Sequence, residues 1–280
     1  MTGALAGVVG WPVAQSLSPA IHGYWLKEYR IDGAYVALPI EPENFERCIT
    51  ALPLMSFAGV NVTVPHKRAA AALSRQLDED AKATGAVNML TFRSDGFSGS
   101  NTDVAGFLAS LQQTLPVEQL KTHAAVVVGA GGAARAVVLA LVKTGFSEIR
   151  LVNRTRATAA DVERMFAGKS DCRVLEWGEW TKALPGARLL VNTTSLGMKG
   201  NPPLELPLEA LPSKAAVADI VYNPVETPLL RQARAAGHQT MDGLGMLMHQ
   251  AVPAFAAWFG VRPAVTPALR SYLLKALGIA

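Results

Sequence analysis

The stretch Ala125-Val-Val-Val-Gly129-Ala-Gly131-Gly132-Ala-Ala134-Arg-Ala136 passes from an apolar run to an alanine-rich segment through three glycines. The apolar run reads as a buried parallel strand and the alanine-rich segment as a helix, so the glycines sit at a strand-to-helix turn. A backbone without side chains can approach a pyrophosphate there, and the helix start adds unpaired N–H donors and the positive end of its dipole. Ala134 takes the third position of the pattern, where Gly or Ala is tolerated. Small residues also serve tight helix–strand packing, so the pattern gains its weight from the strand downstream of it. That second strand is expected over Glu148–Asn153, running into Arg154-Thr155. An NAD site usually ends it in an acid that accepts from the ribose 2′-hydroxyl and repels a 2′-phosphate. Here Asn153 is neutral, Arg154 offers a planar fork for phosphate, and Thr155 adds a hydroxyl. The chain is therefore expected to take NADP rather than NAD, through Gly129, Gly131, Gly132, Ala133, Asn153, Arg154 and Thr155.

Working outward, a chain of 280 residues, half of them hydrophobic, is long enough for two domains. A dinucleotide unit that begins near residue 123 leaves about a hundred residues ahead of it, most simply to bind the substrate. The expected division is residues 1–103 for substrate, 104–240 for NADP, and 241–280 as helices that return to the substrate domain. The formal charge of +4 is modest and unclustered, which suits small anionic molecules better than nucleic acid. Cys48 and Cys172 have no metal-ligand spacing, so no metal is expected, and two isolated thiols fit a reducing, cytoplasmic setting. The N-terminal segment lacks a basic region and soon meets Trp11-Pro12, which reads against a signal peptide. No apolar run is long enough to span a bilayer, so no membrane partner is expected.

Strand-like runs at Leu5–Gly10, Ala34–Pro39, Gly59–Val64 and Ala86–Phe92 alternate with helical patterns at Pro19–Glu28, Glu43–Leu52, Ala69–Gln76 and Glu79–Thr84. Such alternation implies an α/β fold with a mainly parallel sheet. Beyond the glycine turn, strands are expected at Arg188–Asn192 and Ala216–Tyr222, and helices at Pro228–Ala236, Gly243–Phe259 and Pro267–Leu277.

Four polar clusters fall where open α/β sheets place their ligands, at the C-terminal ends of the expected strands. Gln15-Ser16-Leu17-Ser18-Pro19 brings two hydroxyls to a helix start, a seat for a carboxylate, although Ser18 before Pro19 also suits a plain N-cap. Asn61-Val-Thr63-Val-Pro65-His66-Lys67 sets a lysine at a helix start, where its charge opposes the dipole; in a cleft it would serve as a general acid–base group. Gly85-Ala-Val-Asn88 offers an amide for vicinal hydroxyls. Ser100-Asn101-Thr102-Asp103 offers a carboxylate that would hold a hydroxyl and pair with Lys67, or cap the next helix.

With those residues in hand, the chain resembles the shikimate dehydrogenases. The resemblance rests on Ser16-Leu-Ser18-Pro, Asn61-Val-Thr-Val-Pro-His-Lys67, Gly85-Ala-Val-Asn88, Asn101-Thr-Asp103, the glycine turn, and Asn153-Arg-Thr155. Asn192-Thr-Thr-Ser195-x-Gly197-Met198, Asp219-Ile-Val-Tyr222-x-Pro-x-x-Thr-Pro228 and Gly243-x-Gly-Met246-Leu-x-x-Gln250 complete it, in order along nearly the whole chain. It implies a substrate domain followed by a Rossmann-type NADP-binding domain, and reversible NADP-dependent reduction of 3-dehydroshikimate to shikimate in chorismate and aromatic amino-acid biosynthesis. It further implies that Ser16, Ser18 and Tyr222 hold the substrate carboxylate, and that Thr63, Asn88, Asp103 and Gln250 meet the ring hydroxyls. Lys67, beside Asp103, would handle the proton of the reacting hydroxyl, with Gly243 and Asn192–Ser195 beside the nicotinamide. A monomer or homodimer is expected.

Three positions depart from the family pattern. Gln15 stands where members often carry His or Asn, Met89 follows Asn88 where Thr is usual, and Thr158 occupies the place of a second phosphate-gripping Arg, leaving Arg156 as its candidate substitute. Two other readings are a quinate/shikimate dehydrogenase that uses NAD, against which Asn153-Arg154-Thr155 stands, and a non-catalytic NADP-binding regulator, against which Lys67 and Asp103 stand.

Overall fold

The computed structural model describes residues 4–279. It divides into two compact units, one made of the chain up to Thr102 together with the chain from Gln250 onward, the other running Asp103–His249.

The first unit opens with β1 (Ala4–Gly10), α1 (Ser18–Glu28), β2 (Gly33–Pro39), α2 (Phe45–Ala51), β3 (Phe57–Val62) and α3 (Lys67–Leu73). It continues through β4 (Gln76–Leu77), α4 (Glu79–Thr84), β5 (Met89–Arg93) and β6 (Gly96–Ser100). Its sheet has the order β2-β1-β3-β5-β6-β4. β1 lies parallel between β2 and β3, β4 is parallel to β6, and β5 is antiparallel to both β3 and β6, so five of the six strands share one direction and the sheet is mainly parallel as expected, with β5 alone reversed. The reason is local: Arg93 pairs with Gly96, leaving Ser94-Asp95 as a two-residue turn, and a hairpin forces reversal. Gly96 sits at φ +128, a conformation that side chains rarely adopt. Val9, Ile49, Val60, Val62 and Leu90 form a core on this sheet. Trp258 lies close over β3 because position 59 is glycine; a Cβ there would meet the Trp258 Nε1 at 2.1 Å.

The second unit runs α5 (Asp103–Thr114), α6 (Val117–Leu120), β7 (Ala124–Val128), α7 (Gly132–Thr144), β8 (Glu148–Asn153), α8 (Arg156–Met165), β9 (Asp171–Glu176) and α9 (Trp180–Ala183). Then come β10 (Ala187–Asn192), β11 (Ala216–Asp219), α10 (Pro228–Ala235) and β12 (Gln239–Met241). Its strands are all parallel, in the order β12-β11-β10-β7-β8-β9. The central strands are fully buried Val, Leu and Ala runs, as a sheet covered on both faces requires. Chain order reverses between β7 and β10, the switch point at which such sheets open a crevice for ligands. α11 (Gly243–Phe259) starts in this unit and ends in the first, which α12 (Pro267–Ala276) closes. No helix among the described residues is long and apolar enough to cross a membrane.

Candidate active site

In the first unit the candidate substrate residues gather along one edge of the sheet. Ser16 and Ser18 follow β1, Thr63 follows β3, and Thr102 follows β6. Asn88 precedes β5 instead of ending a strand, and the reversed direction of β5 carries its start to that same edge. β5 is thus shorter at its front than the sequence suggests, and Met89 is its buried first residue.

Each side chain is set by contacts that local sequence does not reveal. α3 begins at Lys67, earlier than the alanine pattern implies. His66, the residue before it, is buried, stacks on Phe45 at 4.6 Å and places Nε2 2.7 Å from the Ile40 carbonyl. The Val87 N–H donates to the Lys67 carbonyl at 2.9 Å, which ties the start of α3 to the segment leading into Asn88. Lys67 itself is half-buried.

The Asn88 amide donates to the Thr102 hydroxyl at 2.9 Å and to the Gln250 Oε1 at 3.4 Å, while the Thr102 N–H donates to the Asn88 Oδ1 at 2.8 Å. Asn88 and Gln250, 162 residues apart, therefore meet around Thr102, a site residue that sequence reasoning misses. Asp78 fixes the approach: it caps α4 by accepting from the Ala81 N–H at 2.6 Å and also accepts from the Asn101 N–H at 3.3 Å. The Asn101 amide closes the brace on Thr84 Oγ1 and the Ala86 carbonyl, both at 2.9 Å.

The two serines exchange the parts that capping rules suggest for them. Ser18 is the first residue of α1 and its N–H donates to the Ser16 Oγ at 3.3 Å, so Ser16 tends the helix start. Ser18 is buried, as is Tyr35. Tyr35 donates to the Asn61 Oδ1 at 2.7 Å.

In the second unit Gly129 sits at φ +107, and a Cβ there would come within 2.7 Å of the Thr193 Oγ1. Thr193 is held against the same turn by its N–H and hydroxyl, which donate to the Val128 carbonyl at 2.9 and 2.7 Å. A Cβ on Gly131 would meet nothing within 4 Å, and Gly131 caps α7 without any side-chain bond. Gly131 is exposed and Gly132 and Ala133 are half-buried, so the start of α7 is accessible to a pyrophosphate, and the cradle fits a dinucleotide. Asn153 ends β8 and Arg154 and Thr155 follow it; the Asn153 amide donates to the Thr155 carbonyl at 2.9 Å, and Arg154 is exposed. Arg156 is committed elsewhere, its guanidinium donating to Glu176 at the end of β9 at 2.9 Å.

Asp103 is buried in the first turn of α5, where the helix dipole favours a carboxylate. Tyr222 follows β11 and is half-buried. The Asn192 amide donates to Asp219 at 3.0 Å, and its Oδ1 accepts from the Thr194 N–H at 3.0 Å. Asp219 is fully buried, and desolvation pushes its pKa up to about 6 despite bonds from Val221, Thr227 and Asn192. Gly243 approaches so closely that a Cβ would lie 2.2 Å from the Ile220 carbonyl oxygen, so this position pins α11 to the loop after β11.

Residues 8–90 match the family model of the shikimate dehydrogenase substrate binding domain, and residues 111–197 that of shikimate / quinate 5-dehydrogenase. The NADP(+) shikimate dehydrogenase of Paramagnetospirillum magneticum is 52% identical over 97% of this chain and 98% of its own. The chain belongs to the shikimate dehydrogenase family. Among solved structures of the family's fold, the Thermus thermophilus shikimate 5-dehydrogenase in complex with NADP(H) and shikimate aligns with TM-score 0.82 and 34% identity over 98% of both chains. The quinate dehydrogenase of Corynebacterium glutamicum in complex with NAD aligns with TM-score 0.89 at 29% identity, over 98% of this chain and 99% of that one.

Proposed function

We propose that the chain is an NADP-dependent shikimate dehydrogenase, an oxidoreductase that interconverts 3-dehydroshikimate and shikimate on the route to chorismate. The observation that carries this is the full-length identity of 52% to an NADP(+) shikimate dehydrogenase, joined to a neutral Asn153 and an exposed Arg154 where an NAD site carries an acid. The first unit takes the substrate and the second the cofactor. The fold likeness to an NAD-bound quinate dehydrogenase keeps quinate as the second substrate to assay.

The chemistry assigned to each residue follows from its donors and acceptors. The Ser16 and Ser18 hydroxyls supply hydrogen bonds to the substrate carboxylate, with Tyr222 as a third donor by family resemblance. Asn88, Gln250 and Thr63 meet the ring hydroxyls; the Asn88–Thr102–Gln250 network holds its members in place before substrate arrives, which lowers the ordering cost of binding. In the oxidation direction the Lys67 amine takes the O–H proton while the C–H bond releases hydride, and in reduction its ammonium returns that proton. Asp103 holds the same hydroxyl as an acceptor. The nicotinamide supplies the hydride acceptor or donor when it is bound. Gly129, Gly131, Gly132 and Ala133 receive the pyrophosphate, Arg154 with Asn153 and Thr155 reads the 2′-phosphate, and Gly243 shapes the nicotinamide wall. We assign the enzyme to the cytoplasm, a setting supported by its two free thiols, Cys48 and Cys172, and to a monomer or homodimer.

Lys67→Ala is the test. It is expected to lower turnover by about 10²–10⁴ while the Kd for shikimate changes far less; turnover at the parent rate would remove Lys67 from the mechanism.

A further inference from the structure

The second unit carries a polar cavity of about 210 Å³ at the sheet edge opposite the glycine turn. Gly129, Asn153 and Asn192 stand at or just beyond the C-terminal ends of β7, β8 and β10, whereas this cavity gathers residues from the starts of the adjacent parallel strands β10, β11 and β12. Arg188 is the second residue of β10, Ser213 and Lys214 lie in the turn before β11, Gly237 and Gln239 lead into β12, and Gln119 joins them from α6. The walls are fixed from behind. The Ala215 N–H donates to the Pro212 carbonyl at 2.8 Å, closing the turn that presents Ser213 and Lys214, and the buried His238 places Nδ1 3.1 Å from the Ala215 carbonyl.

Arg188 reaches the cavity through a bulge. Ala187 pairs with Ala124 of β7 and Leu189 with Ala125, so Arg188 is an extra residue in the ladder. The faces record the same insertion: Ala187 and Leu190, three apart, join one core cluster with Ala124 and Val126, two apart. The sheet is covered on both faces, so a regular register offers a guanidinium no open side. Set out of the alternation, Arg188 is half-buried and lines the cavity with the exposed Lys214. Neither cation has an ion-pair or hydrogen-bond partner among the described residues, and no acidic side chain among them lines the cavity. Two uncompensated charges, with the Ser213 hydroxyl and the Gln119 and Gln239 amides as neutral donors, match an acceptor that is doubly charged and has several oxygens. A phosphate dianion is such an acceptor: the planar Arg fork suits two of its oxygens, and the Lys ammonium serves as a point charge. The volume falls below the roughly 300–1,000 Å³ of sites for drug-sized ligands, so the occupant is small. We propose that this cavity is a second anion site, separate from the cofactor turn, for a phosphate dianion, either free or as the ester of a small molecule.

Calorimetry on the full-length protein tests this, with NADP⁺ at saturation so that phosphate cannot occupy the cofactor turn. Inorganic phosphate, glycerol 3-phosphate and malonate are titrated at pH 7.5, where phosphate is mainly the dianion, and at constant ionic strength. The proteins are the parent, Arg188→Gln, Lys214→Gln and, as a charge control, Lys275→Gln, which alters an exposed lysine of α12. An unchanged Kd for NADP⁺ verifies that each variant is folded. Phosphate is expected to bind the parent at one site per chain, at least about fivefold more weakly in Arg188→Gln and in Lys214→Gln, and within about twofold of the parent in Lys275→Gln. Equal or tighter binding of inorganic phosphate identifies the free ion as the ligand, and tighter binding of glycerol 3-phosphate identifies an ester; both support the site. No saturable binding to the parent, malonate binding more tightly than either phosphate, or losses in Arg188→Gln and Lys214→Gln no greater than in Lys275→Gln, overturns the proposal.

Discussion

His22→Phe should stabilise the protein increasingly as the pH falls. His22 is completely buried, and neither ring nitrogen has a hydrogen-bond partner. Its ring lies among Trp25, Tyr35, Phe255 and Trp258, and burial pushes its pKa down from 6.5 to about 3. The native state therefore keeps His22 neutral at pH 5, whereas the unfolded chain takes up a proton there. Because the unfolded state binds more protons between those two pKa values, stability is lost as the pH drops below about 6.5. From pH 7.5 to pH 5 the loss is about 2 kcal/mol, at roughly 1.4 kcal/mol for each pH unit below 6.5. Phenylalanine has no such titration and no unpaired nitrogens, although its larger ring adds a packing term of either sign. That packing term is independent of pH, so the difference between variant and parent isolates the histidine. Urea unfolding of both proteins at pH 7.5, 6 and 5 gives the difference directly. A gap that widens by about 2 kcal/mol toward pH 5 supports a neutral buried His22; parallel curves would show that the ring titrates normally in the native state and refute the argument.

Asp219 should act with the opposite sign. Its folded pKa is raised from 3.8 to about 6, so the native state binds more protons in that window and its contribution to stability grows as the pH falls from 7 toward 4. Asp219→Asn keeps an acceptor for Val221 and Asn192 and can donate to Thr227, so unfolding curves of the two proteins should diverge by on the order of 2 kcal/mol, the parent gaining at the acid end. A constant gap would mean that Asp219 is not the titrating group. At the cofactor turn, Arg154→Ala should raise the Kd for NADP⁺ by roughly tenfold or more and leave that for NAD⁺ nearly unchanged, the loss of one charge-assisted phosphate contact. Arg156→Ala should weaken NADP⁺ much less, since its guanidinium already serves Glu176; calorimetry on both variants would expose the reverse ranking.

The legible parts of the fold are those with local signals. The apolar run before Gly129 and the neutral end of β8 announce themselves within a few residues, and β8 spans Glu148–Asn153 as the sequence suggests. β6 is not legible, because Gly96–Ser100 has two glycines and no alternation; it forms only because the Ser94-Asp95 turn folds it back on β5. β4 has two residues, too few for any period to show. In the site, residue types can be named from sequence but not their partners. Tyr35 meets Asn61 across 26 positions and Asn88 meets Gln250 across 162, and no window of sequence contains both ends. Thr102 stands in the Ser100–Asp103 cluster, yet its importance lies in joining Asn88 to Gln250, a fact of three dimensions.

The central claim, NADP-dependent oxidation of shikimate, is tested most directly by initial rates of nicotinamide reduction with shikimate or quinate against NADP⁺ or NAD⁺. The account predicts that the shikimate and NADP⁺ pair dominates the other three by at least about tenfold in kcat/KM, the worth of a single well-placed charge-assisted contact. Equal or greater rates with quinate or NAD⁺, or no reduction in any of the four, would contradict it.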